Sequence, residues 1–160
     1  MTEPRWLDET QLDAWKRLVS VVELLPGVLD SQLRRDAGLS HFEYYVLAML
    51  SEAPDRSLRM TRLAAKTDAT LPRLSHVVAR LEERGLVERL PSADDRRVTN
   101  AHLTDAGWDK IVATAPGHVE TVRTHVVDPL TDEEIGQLDT IAGKILERLD
   151  PENRTGVRRT

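Results

Sequence analysis

The chain of 160 residues contains no cysteine, which excludes disulfide staples, thiolate metal sites and cysteine-based redox sensing and leaves stability to packing. Aromatic residues are scarce, with three Trp, two Tyr and one Phe, so the apolar stripes are almost wholly aliphatic. No apolar run approaches the roughly 20 residues that span a bilayer. The opening Met1-Thr2-Glu3-Pro4-Arg5 lacks the charged-then-apolar layout of an export signal, so the expected location is the cytoplasm, without a membrane partner. There is no internal repeat, and the length suits one main unit. Neither a nucleophile–base pair nor a phosphate loop is visible, and no His/Glu pair has a convincing ligand spacing. The chain therefore reads as neither an enzyme nor a metalloprotein, and no cofactor is expected.

The formal net charge of -5 argues against nucleic acid only until it is divided along the chain. Residues Arg56 to Arg97 hold 10 Lys/Arg against 6 Asp/Glu, an excess of +4 that leaves -9 on the remainder. A local basic field is enough to engage a polyanion, whereas the total charge governs mainly solubility. The modest excess is equally compatible with an ordinary solvated face.

Apolar residues at Leu7, Leu12, Trp15, Leu18, Val19, Val22, Leu25 and Leu29 trace one face of a long first helix, with a kink or break expected at Pro26-Gly27. Ser40-x-x-Glu43 is a capping-box pattern that opens a second helix directing Phe42, Val46, Met49 and Leu50 inward, and Pro54 stops it. Leu58 to Met60 reads as a short strand, followed by a brief helix capped by Thr61. A turn at Thr67-Asp68-Ala69 leads to Thr70-Leu71-Pro72, where threonine caps and proline fits the first helical turn. Leu71, Leu74, Val78 and Leu81 form the core stripe of that helix, which Gly85 ends. Its polar side carries Arg73, Ser75, His76 and Arg80. Helix, tight turn and helix together read as helix-turn-helix.

Val87–Leu90 and Val98–Leu103 are strand-like around the turn-forming Pro91-Ser92-Ala93-Asp94-Asp95, giving a β-hairpin with Arg96 and Arg97 near its bend. Thr104 caps the next helix, with Leu103 and Trp108 placed as a hydrophobic staple and a bend expected at Pro116-Gly117. Thr131-x-x-Glu134 caps the last helix, lined by Ile135, Leu138, Ile141, Ile145 and Leu149 and stopped at Asp150-Pro151. Acidic pairs such as Asp94-Asp95 and Glu133-Glu134 suit turns and helix starts better than catalysis. The first and last helices carry apolar stripes at opposite ends of the chain. They can pack on each other or pair with a second copy.

Asp95-x-Arg97 followed by Leu103-Thr104-x-x-Gly107, and preceded by Leu81-Glu82-Glu83-Arg84-Gly85-Leu86-Val87, resembles the MarR family of winged-helix transcription factors. The resemblance is detailed from about Leu39 to Trp108. It implies a mainly α fold with a small β-hairpin wing, in which residues 37–103 form a winged helix-turn-helix DNA-binding region. Residues 1–36 and 104–150 then form the helical dimerisation region, and 151–160 a polar tail that should fray. It further implies a homodimer on double-stranded DNA with a pseudo-palindromic operator. Arg73, Ser75 and His76, with Arg80 behind them, would face the major groove; Arg96 or Arg97 would reach the minor groove or its phosphates, and Asp95 would pair with Arg97 to stiffen the wing. His76 stands where many relatives carry arginine. The resemblance also implies a repressor released by a small aromatic effector, held in a cleft bordered by Trp15, Tyr44 and Trp108. The alternative is a winged-helix protein-interaction module without DNA binding.

Overall fold

The computed structural model describes residues 3–157. Met1 and Thr2 of the polar opening, and the last three residues of the polar tail, lie outside the described residues. In chain order the elements are α1 (Glu9–Ala37), α2 (His41–Ser51), β1 (Ser57–Arg59), α3 (Met60–Lys66), α4 (Leu71–Glu83), β2 (Val87–Pro91), β3 (Thr99–Leu103), α5 (Asp105–Val122) and α6 (Asp132–Leu149). The fold is mainly helical with one small antiparallel sheet, ordered β1-β3-β2, in which Leu58 faces Ala101 and Arg89 faces the same residue from the other side. β1 thus closes the hairpin into a three-stranded wing.

Four of the five Ser/Thr caps expected from the sequence form. Ser40, Thr70, Thr104 and Thr131 each accept a backbone N–H three residues on, and Ser40 and Thr131 complete reciprocal boxes with Glu43 and Glu134. Asp8 adds a further box with Gln11 at the start of α1, downstream of Leu7. Thr61 does not cap α3, which begins at Met60 without a side-chain cap. The strand pairing of Arg59 with Asn100 fixes the helix entry instead.

The helices run on through both prolines, so the chain does not break at Pro26-Gly27. α1 continues for eleven residues past Pro26, and α5 passes through Pro116. A proline ring frees the carbonyl four residues before it, here Val22 and Val112. Both residues are more than half exposed, so water can satisfy those carbonyls. The buried Leu29, Gln32 and Leu33 lie beyond Pro26 and hold α1 on the core. The chain leaves α5 through a wide turn of π type, Arg123–Val127, closed by an Arg123–Asp128 ion pair at 2.6 Å.

The core lies within the lobe formed by α2, α3, α4 and the sheet, closed by the end of α1 and the start of α5; Leu33, Val46, Leu50, Leu63, Leu74, Leu81 and Leu103 are fully buried. Leu71 departs from the expected stripe and is 43% exposed, while Val77 joins the core. The Leu103-Thr104-x-x-Gly107 motif is a packing device at the lobe's edge. The Thr104 hydroxyl donates to the Gly85 carbonyl at 2.7 Å and accepts from the Gly107 N–H at 3.0 Å. The Leu86 carbonyl accepts the Thr104 N–H, and a Cβ on Gly107 would fall on that carbonyl oxygen and within 2.6 Å of Leu103 Cδ1. Gly107→Ala should therefore destabilise the protein by about 3 kcal/mol, at the upper end of overpacking costs, read as a lowered denaturant midpoint at unchanged m-value.

Candidate nucleic-acid interface

α4 presents two faces of different chemistry. Leu74, Val77, Val78 and Leu81 are buried, while Arg73, His76 and Arg80 are exposed and Ser75 is half-buried. Between the N-terminal half of α4 and the sheet runs a groove of about 380 Å³, lined by Met60, Leu71, Ser75, Thr99 and three arginines, Arg59, Arg89 and Arg97. Arg59 and Arg89 are additions to the residues expected from the sequence. Register sets them on alternate faces of the sheet, Arg59 opposite Asn100 and Arg89 opposite Ala101, and Arg59 reaches the groove from the end of β1, where the chain enters α3.

The arginines differ in what already holds them. Arg89 is bound by Glu82, whose carboxylate accepts from its backbone N–H at 3.1 Å and from its guanidinium at 3.0 and 2.7 Å. These bonds hold the Glu82 carboxyl below the usual range. Arg59 lies 3.7 Å from Asp94, tying the wing to β1. Arg96 and Arg97 are exposed on the wing turn, and no acidic oxygen lies within 4 Å of either guanidinium among the described residues. Asp95 does engage Arg97, through the backbone: its carboxylate accepts the Arg97 N–H at 2.9 Å, and the Val98 N–H returns to the Asp95 carbonyl at 2.9 Å. An Asx-type turn is held closed in this way, and the Arg97 guanidinium keeps its hydrogen-bonding capacity for a ligand.

Arg80 is not free in this sense. Its Nη2 lies 3.0 Å from Glu43 Oε1, and Arg84 Nη1 lies 3.9 Å from Oε2 of the same carboxylate, whose side chain is 3% exposed. Glu43 Oε2 also accepts the Ser40 N–H at 2.7 Å. One buried acid on α2 therefore serves both as capping residue and as counter-ion to α4. Sequence reasoning identified the cap and missed the clamp, since nothing local joins positions 43 and 80. Arg73 is likewise engaged, its guanidinium centred 4.2 Å from the Phe42 ring.

The three aromatic residues expected at an effector cleft do not converge. Tyr44 packs on His118 with ring centroids 4.4 Å apart. Trp108 lies beneath the Arg56 guanidinium at 4.1 Å, and Trp15 is more than half exposed on α1. A cleft of about 530 Å³ opens elsewhere, between α1, α2 and α4, lined among others by Asp30, Arg34, His41, Phe42 and Arg73. Among the described residues, no group of three or more His, Asp or Glu is arranged to hold a metal ion, and no helix is long and apolar enough to cross a membrane.

A helix-turn-helix whose second helix flanks a basic, arginine-tipped hairpin defines a winged-helix protein. The family model described as "MarR family" matches residues 37–98. Among solved structures, the chain is similar to Sco3205, a MarR family transcriptional regulator from Streptomyces coelicolor crystallised in complex with DNA, at 44% identity over 94% of both chains with a TM-score of 0.89. It is similar also to AbsC, a MarR family transcriptional regulator from the same organism, at 37% identity over 91% of this chain and 98% of that one, with a TM-score of 0.86. The transcriptional repressor YetL of Bacillus subtilis is 29% identical over 89% of this chain and 84% of its own. The chain belongs to the MarR family of transcriptional regulators.

Two histidines sit where α1, α2 and α5 meet. Burial pushes the pKa of His118 and of His41 below the ordinary histidine value, and proximity to His41 lowers His118 further. A depressed histidine pKa favours the folded state while the ring is neutral, so that stability is present above the unfolded value of 6.5 and falls as pH drops below it. Thermal melts at pH 7.5 and 5.5 should show this loss in the wild type and a smaller one in His118→Gln.

Proposed function

We propose that the protein is a homodimeric repressor that grips a pseudo-palindromic operator, inserting α4 of each copy into the major groove and resting each wing on the flanking minor groove. The observation that carries the reading is the state of Arg96 and Arg97. They are exposed on a turn braced by Asp95, and neither guanidinium has an acidic oxygen within 4 Å among the described residues, so their charge is available for phosphates or for a narrow minor groove. Arg73, Ser75 and His76 are the base-reading candidates. His76 has a shorter reach than arginine and lacks its planar fork of donors. Arg80 is assigned to orientation of the helix through Glu43 rather than to a free DNA contact. The DNA complex of the 44% identical Sco3205 and the repressor name of YetL support these assignments.

The dimer is supported by apolar surface that the single chain leaves uncovered. Trp15, Leu18, Val22 and Leu24 of α1, and Leu138, Ile141 and Ile145 of α6, are each exposed by more than a third. Facing stripes of this extent are normally covered, and a twofold pair is the commonest way to cover them. The reading assigns residues 1–36 and 104–150 to this arm and 37–103 to the reading lobe.

Release by an effector would use the cleft between α1, α2 and α4. Arg73 lines it beside Arg34 and Phe42, so an aromatic carboxylate stacked on Phe42 and paired with these arginines would draw Arg73 away from DNA. Such a ligand shifts occupancy only by binding the DNA-incompetent form more tightly.

A fluorescence titration on duplexes selected from random sequence tests the central reading. Arg97→Ala should weaken binding across all duplexes and reduce the salt slope by about 1, whereas His76→Ala should relax preference at particular base pairs at about 1–3 kcal/mol each. Wild-type affinity and slope in Arg97→Ala would refute the wing assignment. A hydroxybenzoate that lowers duplex affinity in the wild type should do so less in Phe42→Ala, and an equal effect on both would remove the cleft from the mechanism.

A further inference from the structure

Where the sequence reads a fraying polar tail, the residues following α6 are tightly bonded. Asp150, at the C-terminal end of the helix, accepts the Arg154 N–H at 2.9 Å, the Thr155 N–H at 3.1 Å and the Thr155 hydroxyl at 2.8 Å, and the Arg154 guanidinium lies 3.5 Å away. The Asp150 side chain is only 6% exposed. These bonds bring its carboxyl down to about 2, so the knot is charged and intact at any working pH. Two residues with positive φ, Asn153 and Gly156, turn the chain back on itself.

The knot is seated on a particular place. Arg154 Nη2 lies 3.5 Å from Asp68, and the chain at Gly156 passes so near Lys66 that a Cβ there would lie 3.0 Å from its Nζ. Lys66 ends α3, and Asp68 has a φ of +47° in the turn of the helix-turn-helix, two residues before the Thr70 cap of α4. α6 has no extended packing against any other element among the described residues. Its end nevertheless touches the segment that sets the position of the reading helix.

We propose that residues 150–156 form a clasp through which α6 fixes the helix-turn-helix turn, with Arg154 as a positioning residue for DNA reading. The inference rests on the reading of α4 as the DNA-contacting helix. The ends of α1 and α5, which pack on each other and on α2, join the lobe to the helical arm at one side. The clasp adds an attachment at the turn between α3 and α4, and so limits tilting of the reading helix about that junction. An exposed ion pair is weak when both side chains must be ordered to form it. Here the knot around Asp150 has already ordered Arg154, so the contact with Asp68 costs less entropy. A lobe held in its competent orientation binds without the penalty of a partly populated state.

The test uses the full chain with Asp150→Asn and Asp68→Asn. The second changes only an exposed side chain, in a turn conformation that asparagine tolerates, and so guards against misfolding of the first. Each variant removes a negative charge, which on charge alone would tighten DNA binding. The clasp requires the opposite: affinity for a duplex selected by the wild type falls about two- to fivefold, the range of such an ion pair, at unchanged salt slope. Amide exchange of Asp68, Ala69 and Thr70 should also speed up. Equal or tighter binding together with wild-type exchange at the turn in both variants would overturn the clasp. A wild-type protein that selects no duplex would overturn the DNA reading instead, and the exchange rates would still decide whether the clasp exists.

Discussion

The lobe depends on one buried carboxylate. Glu43 sits at the third position of α2, almost wholly removed from water, with the Ser40 N–H, Arg80 and Arg84 around it. A buried charge without partners costs several kcal/mol, and an ion pair in the interior is tolerable only when hydrogen bonds satisfy the remaining lone pairs. Glu43 meets that condition at one oxygen: Oε2 accepts the Ser40 N–H, while buried Oε1 has no hydrogen-bond partner among the described residues and relies on Arg80 of α4, 3.0 Å away, as counter-ion. The start of α2 and the C-terminal half of α4 are thereby fixed to each other at a point where apolar packing alone would permit sliding. Direction comes from the Ser40 N–H bond, which orients the carboxylate that the two arginines approach.

That constraint sorts the arginines of the basic segment by role. Arg80 and Arg84 are committed to Glu43, Arg89 to Glu82, and Arg59 to Asp94. These pairs orient α4, the sheet and the wing root relative to one another. The arginines at the wing tip are left with their fields directed outward. A charge count along the chain locates the basic region correctly and says nothing of this division. The functional surface is what remains after internal pairing has been satisfied, and it is smaller and more sharply placed than the +4 excess suggests.

What was legible in the sequence was local. Each Ser or Thr cap acts on a backbone amide three residues away, so Ser40, Thr70, Thr104 and Thr131 could be read from their neighbours. The hairpin and the order of helices were readable for the same reason. A break at Pro26 does not occur because the local penalty is outweighed by the burial of Leu29 and Leu33 beyond it and eased by the solvent exposure at Val22. Arg80 was taken for a reading residue because its counter-ion lies on another helix. The Asp150 knot escaped because a run of polar residues at a chain end has the composition of a frayed tail, and only the geometry of its amides distinguishes the two.

The two ends of α6 stand in different situations, and this gives the architecture its leverage. Along its length the helix offers an apolar face that none of the described residues covers, while its last turn runs into the knot seated at Asp68. If a second copy covers that face, the position of α6 is set by the dimer rather than by its own lobe. The knot then transmits that position to the turn ahead of α4, and α5 transmits it to the far side of the lobe through Thr104 and Gly107. Two lobes, each held through α1, α5 and the knot, can differ in separation only by a coordinated movement of the arms. A few ångströms of change at the arm–lobe junction, where His41, Tyr44 and His118 lie, would therefore appear at the DNA face as a change in spacing between reading helices, the variable to which paired half-sites one helical turn apart are sensitive.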